Sequence, residues 1–246
     1  MGDFSEGLSH LLLRELSILQ MLKGHPSIVE LYDFYFQTSA VEGKPPCFIL
    51  CFEFASGGDL HHYIGEQLMI DSIKNDLNFV CTPIDYNFVR RILRQIFEGV
   101  NFMHSKGVIH RDLKAANILF DKIRCVVKIA DFGLSRLVRQ PMQPMTKEVQ
   151  SMWYRAPEIL LGNLNYTFAV DYWSLGIIAY ELLYLKHRFQ GTSEIDMLFK
   201  IFKEKGTPEF IDVTHPMYLS YRDDYTLANA SFRVNFPRFK PTNKLP

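Results

Sequence analysis

His110-Arg111-Asp112-Leu113-Lys114-Ala115-Ala116-Asn117-Ile118-Leu119-Phe120, followed after a short break by Val126-Val127-Lys128-Ile129-Ala130-Asp131-Phe132-Gly133, is the stretch that decides the fold of this chain. Two apolar runs flank the turn-like Asp121-Lys122-Ile123-Arg124, which predicts a β-hairpin with a carboxylate and an amide at one end and a second carboxylate at the other. Such a set suits phosphoryl transfer. Asp112 is placed to accept a hydroxyl proton, Lys114 to neutralise a migrating phosphoryl group, and Asn117 with Asp131 to hold Mg2+ through hard oxygen ligands. Taken singly, these are a capping Asp, a surface Lys and a turn Asn. Their joint spacing, with a strand-like run between the loop and the final tripeptide, is what carries the chemistry.

Working outward, bulk properties set the frame. The 246 residues suffice for one sizeable core or for two lobes sharing a cleft, and 48% hydrophobic with 22% charged residues is ordinary globular composition. The 27 basic and 27 acidic residues cancel, which gives no reason to expect nucleic-acid binding. Cys47, Cys51, Cys81 and Cys125 lack zinc spacing and suit a reducing compartment, so the nucleus or cytoplasm is expected. Met1-Gly2-Asp3-Phe4-Ser5-Glu6 has no signal-peptide pattern, and Glu6 argues against myristoylation of Gly2. The run from Trp173 to Leu185 is too short to span a bilayer and contains Glu181; it reads as a buried helix, and no membrane partner is expected.

Leu12, Leu16, Leu19 and Leu22 recur at helical spacing until Gly24 and Pro26 end the run. Strands are expected over 28–37 and 47–54, with a loop between them, and Ser56-Gly57-Gly58 marks a boundary. Residues 65–83 are polar and without period, which predicts an irregular surface insert. Asp85 caps a predicted helix with apolar Phe88, Ile92, Ile96 and Met103, closed by Lys106-Gly107. Ser193-Glu194-Ile195-Asp196 reads as a capping box opening a helix with apolar Ile195, Leu198, Phe199 and Phe202.

With these motifs in place, the chain resembles a eukaryotic protein kinase, and within that family the cyclin-dependent kinases, from about Glu6 to Pro208. The fold this implies is α+β and protein-kinase-like, bilobal, with 1–55 a partial small lobe and hinge and 56–246 the large lobe. ATP and Mg2+ are the implied cofactors. The resemblance makes Asp112 the catalytic base beside Lys114 and Asn117, makes Asp131 the main metal ligand, and pairs Glu15 of Arg14-Glu15-Leu16 with an ATP-binding Lys. Phe52-Glu53-Phe54-Ala55 resembles gatekeeper and hinge. The backbone of Glu53 and Ala55 would then bond adenine, Leu119 form its floor and Asp59 reach the ribose, while Phe52 also packs in the core. Trp153 to Gly162 is similar to the branch that favours proline after the target hydroxyl, and Lys114 supports Ser/Thr over Tyr. Asp171 would brace the catalytic loop.

Thr146 stands where these kinases are phosphorylated, with Arg14, Arg111 and Arg136 as its phosphate-binding cluster, and the implied partners are a cyclin and proteins bearing Ser/Thr-Pro. Glu6-Gly7 and Lys114-Ala115-Ala116-Asn117 look most like the transcription-associated members. Two departures are Ser9 to Glu15, at the cyclin-recognition position, and Gln150, where Val is usual. Nothing before Glu15 resembles a glycine-rich loop or a Lys-bearing strand, and the last helices of the large lobe, with the Arg that pairs with Glu158, do not follow. The expectation is a domain truncated at both ends, with little activity alone and Glu158 unpaired. Two alternatives stand beside this reading. One is a non-catalytic kinase-like module that binds a cyclin; the other is a mitogen-activated or glycogen-synthase kinase relative.

Overall fold

The computed structural model describes residues 10–37, 47–76, 85–138, 149–163, 166–207, 239 and 240. They fall into two compact units. The first contains Met1–His110 and Ala115–Leu137, the second Arg111–Lys114 and Val138–Pro246. Helices and small antiparallel sheets mix along the chain, an α+β architecture.

The first unit's described residues open with α1 (His10–Met21), which buries Ile18 and Leu19 and is followed by buried Leu22 and by Gly24 in the left-handed region at φ 91°. Next come β1 (Leu31–Gln37) and β2 (Cys47–Phe52), an antiparallel pair running from Leu31↔Phe52 to Gln37↔Cys47 with an irregularity between Leu31 and Asp33. This hairpin is aromatic and largely exposed on both faces, Tyr32, Phe34, Tyr35 and Phe36 included. The chain then forms α2 (Leu60–Asp76), α3 (Tyr86–Ser105), β3 (Val108–Ile109), β4 (Ile118–Asp121), β5 (Val126–Ile129) and β6 (Arg136–Leu137). β4 and β5 are the predicted hairpin, in register Ile118↔Ile129 through Asp121↔Val126, and β3 pairs with β6.

α3 forms because Asp85 accepts the backbone N–H groups of Asn87 (3.0 Å) and Phe88 (3.2 Å), and because Val89, Ile92, Ile96, Val100 and Met103 recur every three or four residues. That stripe is buried, each side chain contributing roughly 1.5–3 kcal/mol. Ile129 of β5 meets the stripe: a Cβ on Gly99 would lie 2.8 Å from its Cδ1. Ile129 also exchanges backbone bonds with the segment after α1, through Val29 N–H to Ile129 O (2.9 Å) and Ile129 N–H to Ser27 O (2.8 Å). One strand thus ties α1, α3 and the Asp131 turn together.

In the second unit, α4 (Pro157–Leu160), α5 (Ala169–Tyr184) and α6 (Glu194–Lys205) pack around Val170, Leu175, Ile178, Leu182, Met197 and Ile201. α5 is apolar nearly all round, the signature of a buried helix, and its polar members Asp171, Ser174 and Glu181 are themselves buried.

Three expectations need correction. The insert predicted over 65–83 is helical through Asp76, because Leu60, Tyr63 and Ile64 seed α2 before the polar stretch begins; 77–83 lies outside the described residues. The buried face of α6 is Met197, Leu198, Ile201 and Phe202, while Ile195 is 59% exposed and Phe199 37%. Phe52 is not a core side chain, being 38% exposed at the end of a hairpin that is open on both faces, and Phe54 beyond it is 84% exposed.

Where the chain leaves β2, Gly57 donates its N–H to Phe120 O (2.7 Å) and Phe120 returns its N–H to Gly58 O (2.8 Å). A Cβ at Gly57 would sit 2.5 Å from Phe120 O, so only glycine allows this approach. Gly57→Ala is therefore expected to cost about 1–3 kcal/mol, seen as a lower urea midpoint; an unchanged midpoint would show that the two backbones separate without penalty.

Candidate active site

In the second unit, the geometry around Asp112 begins with its neighbour. Arg111 is held at φ 68°, a left-handed conformation that is unfavourable for a non-glycine residue, and its N–H donates to Asp171 Oδ1 (3.0 Å) at the buried start of α5. Its guanidinium donates to Tyr166 Oη (3.1 Å). Asp112 follows, almost fully buried. Its Oδ1 accepts from Ser151 N–H (2.8 Å) and Ser151 Oγ (3.1 Å), and its Oδ2 accepts from Lys114 Nζ (2.8 Å). Lys114 Nζ also donates to Ser151 Oγ (3.2 Å), which closes a ring of three side chains. A carboxylate so tethered keeps its orientation, and the ammonium beside it supplies positive charge where an anionic group would approach.

Gln150, immediately before Ser151, is buried with φ 63°. Its Nε2 donates to Val170 O (3.0 Å) and Ser174 Oγ (2.8 Å), and its Oε1 accepts from Ala156 N–H (2.8 Å). Its backbone carbonyl takes Arg155 Nη2 (2.9 Å), while Arg155 Nη1 pairs with Glu194 (2.6 Å). Glu158, expected to be unpaired, is buried in α4 and is not without a partner.

In the first unit, Asn117 closes a 3-10 turn and hands the chain to β4; its carbonyl accepts Ala130 N–H (2.9 Å), which sets Asn117 beside the Ala130-Asp131 end of the ladder. Asp131 itself is exposed at φ 62°. Phe132 is buried against His110, with centroids 5.1 Å apart, and His110 Nε2 lies 3.0 Å from Ala130 O. Glu15 of α1 faces this turn. Burial pushes its carboxyl above the usual range, and the nearby Asp131 charge pushes it the same way. A Cβ on Gly133 would meet Asp131 Oδ1 at 3.4 Å and Glu15 Oε2 at 3.9 Å, so both carboxylates adjoin that glycine. The expected lysine partner of Glu15 is absent from the described residues, in which Glu15 makes no ion pair.

The carboxylate of Asp131 and the amide oxygen of Asn117 are hard oxygen donors of the kind a divalent metal of the Mg2+ type takes. No group of three or more acidic, His or Cys residues forms a closed metal cage among the described residues. Mg2+ commonly takes one or two carboxylates and completes its shell with water and phosphate oxygens, so the donor set is compatible.

At the hinge-like stretch, Glu53 is buried and its carboxylate accepts Lys128 Nζ (2.8 Å) and Glu30 N–H (2.8 Å). Its own N–H donates to Glu30 O (2.9 Å), so the carbonyl is the group left to meet a ligand there. Asp59 accepts His62 N–H (2.8 Å) as a cap of α2 and forms an isolated bridge with Leu119, which is half-buried in β4. Arg14 is exposed on α1, Arg136 lies in β6, and Thr146 lies outside the described residues.

Ser151, which bonds both Asp112 and Lys114, is the member of this ring to which the motifs assign no role. Its place three residues before Tyr154, in the loop that leads to Ala156-Pro157-Glu158, was the available signal. No sequence signal marks the Lys128–Glu53 pair. A family model described as Protein kinase domain matches residues 4–226.

Because Glu15 is raised in the folded state, its ionised form opposes folding: stability linked to it is present below the ordinary carboxylate range and is lost as pH rises through the folded value. Glu15→Gln should raise the melting temperature at pH 7, and the gain should vanish as pH falls below that range. A gain that persists at low pH would show that charge is not the cause.

Proposed function

The chain belongs to the protein kinase family, whose members transfer a phosphoryl group from ATP to proteins with a divalent metal, and from that premise we infer that this one acts on serine and threonine hydroxyls as a cyclin-dependent kinase. The observation that carries the inference is the ring formed by Asp112, Lys114 and Ser151. In it Asp112 accepts the substrate hydroxyl proton, Lys114 steadies charge on the migrating group, and Ser151 holds both in place. A lysine two residues after the base supports Ser/Thr over Tyr specificity, by the family resemblance.

Asn117 and Asp131 would hold Mg2+, which would supply positive charge to offset that of the phosphates. The Glu53 carbonyl and the Ala55 backbone receive adenine at a hinge steadied by Lys128, with Phe52 behind it, Leu119 beneath and Asp59 toward the ribose. Glu15 would pair with an ATP-anchoring lysine, a contact that relieves its present repulsion from Asp131. Phosphorylated Thr146 would be gripped by Arg14, Arg111 and Arg136, ordering the activation segment for a cyclin-bound enzyme.

Preference for proline after the target hydroxyl rests on Gln150. Its carbonyl already accepts from the Arg155 guanidinium, so a substrate N–H arriving there would give up its water for an acceptor that it must share with a cation. Proline has no N–H to satisfy.

In a version of the chain supplied with a glycine-rich loop and a lysine-bearing strand, Asp112→Asn is expected to keep Mg2+-dependent binding of a fluorescent ADP analogue and to lower peptide phosphorylation by about 100 to 10,000-fold. Asp131→Asn should lose the Mg2+ dependence of that binding. Turnover that survives in Asp112→Asn would remove Asp112 from the role. A Ser-Pro peptide should also be phosphorylated about tenfold faster than its Ser-Ala counterpart, the size of one unmet buried hydrogen bond. Equal rates would refute the part assigned to Gln150.

A further inference from the structure

Away from Asp112, the second unit has an open cleft of about 620 Å³ between the segment after α5 and the second half of α6. Leu185, at φ 51°, turns the chain out of α5 and delivers Lys186, Arg188 and Gln190 to one wall; Lys200, Lys203 and Glu204 form the other. Four cations therefore line it against one carboxylate. Glu204 pairs with Arg188, whose guanidinium also lies 4.4 Å from the centroid of Tyr180. Lys200 pairs with Asp196 at 2.8 Å and donates to Gln190 O.

Lys186 and Lys203 are exposed and make no ion pair among the described residues. The negative C-terminal end of α6 accounts for cations in its last turn, Lys203 and Lys205. It does not account for Lys186 and Arg188, which belong to a different segment and face the same space. Bringing like charges together costs free energy unless an anion joins them.

We propose that this cleft binds the phosphate of an already phosphorylated segment of the kinase's protein substrate. A phosphoserine side chain brings about two negative charges and three strong acceptor oxygens, enough to meet Lys186 and Lys203 together where a single carboxylate meets one. The volume suits a phosphorylated side chain with its neighbouring residues. Arg188, already fixed by Glu204 and Tyr180, acts as a rigid wall of positive charge, and Lys186 with Lys203 are the mobile donors. The inference rests on the protein-kinase reading only for the nature of the ligand.

The test is fluorescence anisotropy with the full 246-residue chain and no nucleotide, so that its outcome is independent of phosphoryl transfer. The probe is a short fluorescein-labelled Gly/Ala peptide with one central phosphoserine, compared with the same peptide carrying serine. The phosphopeptide should bind at least about tenfold more tightly and weaken as salt is raised, since exposed charges carry the contact. Lys186→Ala combined with Lys203→Ala should abolish that difference; if circular dichroism shows that pair unfolded, Lys186→Gln alone should reduce it. Equal binding of the two peptides, or a difference indifferent to these substitutions, overturns the proposal. So does competition by inorganic phosphate at the same concentration as the phosphopeptide, or tighter binding of a labelled oligothymidylate.

Discussion

The hydrogen bond from Arg111 N–H to the buried carboxylate of Asp171 is the constraint on which the second unit's chemistry depends. A left-handed φ at a non-glycine residue costs on the order of 1–3 kcal/mol, and a hydrogen bond to a charged group returns about 1.5–3. The two are matched in size, so the strained turn persists because Asp171 is where it is. The turn in its place delivers Asp112 to Lys114 and Ser151. Asp171 can hold this position because the apolar circumference of α5 buries the helix that carries it.

The first unit meets the opposite electrostatic problem. Glu15 and Asp131 stand together with no ion pair to Glu15 among the described residues, while Glu53, the residue that follows β2, has a cation in Lys128. Both carboxylates come to their places through Ile129: its backbone ties the α1 segment to β5, and its side chain sets β5 against α3. The buried pair at Glu53 is complete, whereas burial and the charge of Asp131 both disfavour ionised Glu15, so that place gains by taking up positive charge. The same strand therefore carries the finished contact at Lys128 and leads, two residues past its end, to Asp131.

Much of this was legible in the sequence where local chemistry and tertiary packing agree. α3 has its cap, its period and its closing glycine in one continuous stretch, and the β4–β5 hairpin has two apolar runs around a turn. α2 was not legible, because a helix seeded by Leu60, Tyr63 and Ile64 continues through residues that carry no apolar period of their own. In α6 the composition allowed two apolar faces, and packing against α4 chose Met197 and Ile201 over Ile195. The cap there also differs. Ser193 Oγ accepts Asp196 N–H as a capping box requires, but the Asp196 carboxylate reaches Thr192 N–H instead of the cap residue. At the candidate site the motif residues announced themselves, while Ser151 and the Lys128–Glu53 pair depend on long-range approach that one-dimensional spacing does not encode.

Gln150 departs from the family pattern, and the loop accommodates it fully. An amide buried in place of a valine would cost about 1–3 kcal/mol if its polar atoms went unmet. Here both donors and the acceptor are met, by Val170, Ser174 and Ala156, so the side chain fastens the loop to α5 instead of loosening it. What a substrate would encounter is the backbone, and the backbone of Gln150 is at a positive φ with its carbonyl held by Arg155. The side chain at this position decides how the loop is anchored to α5, whereas the contact to Arg155 uses main-chain atoms that every residue type possesses.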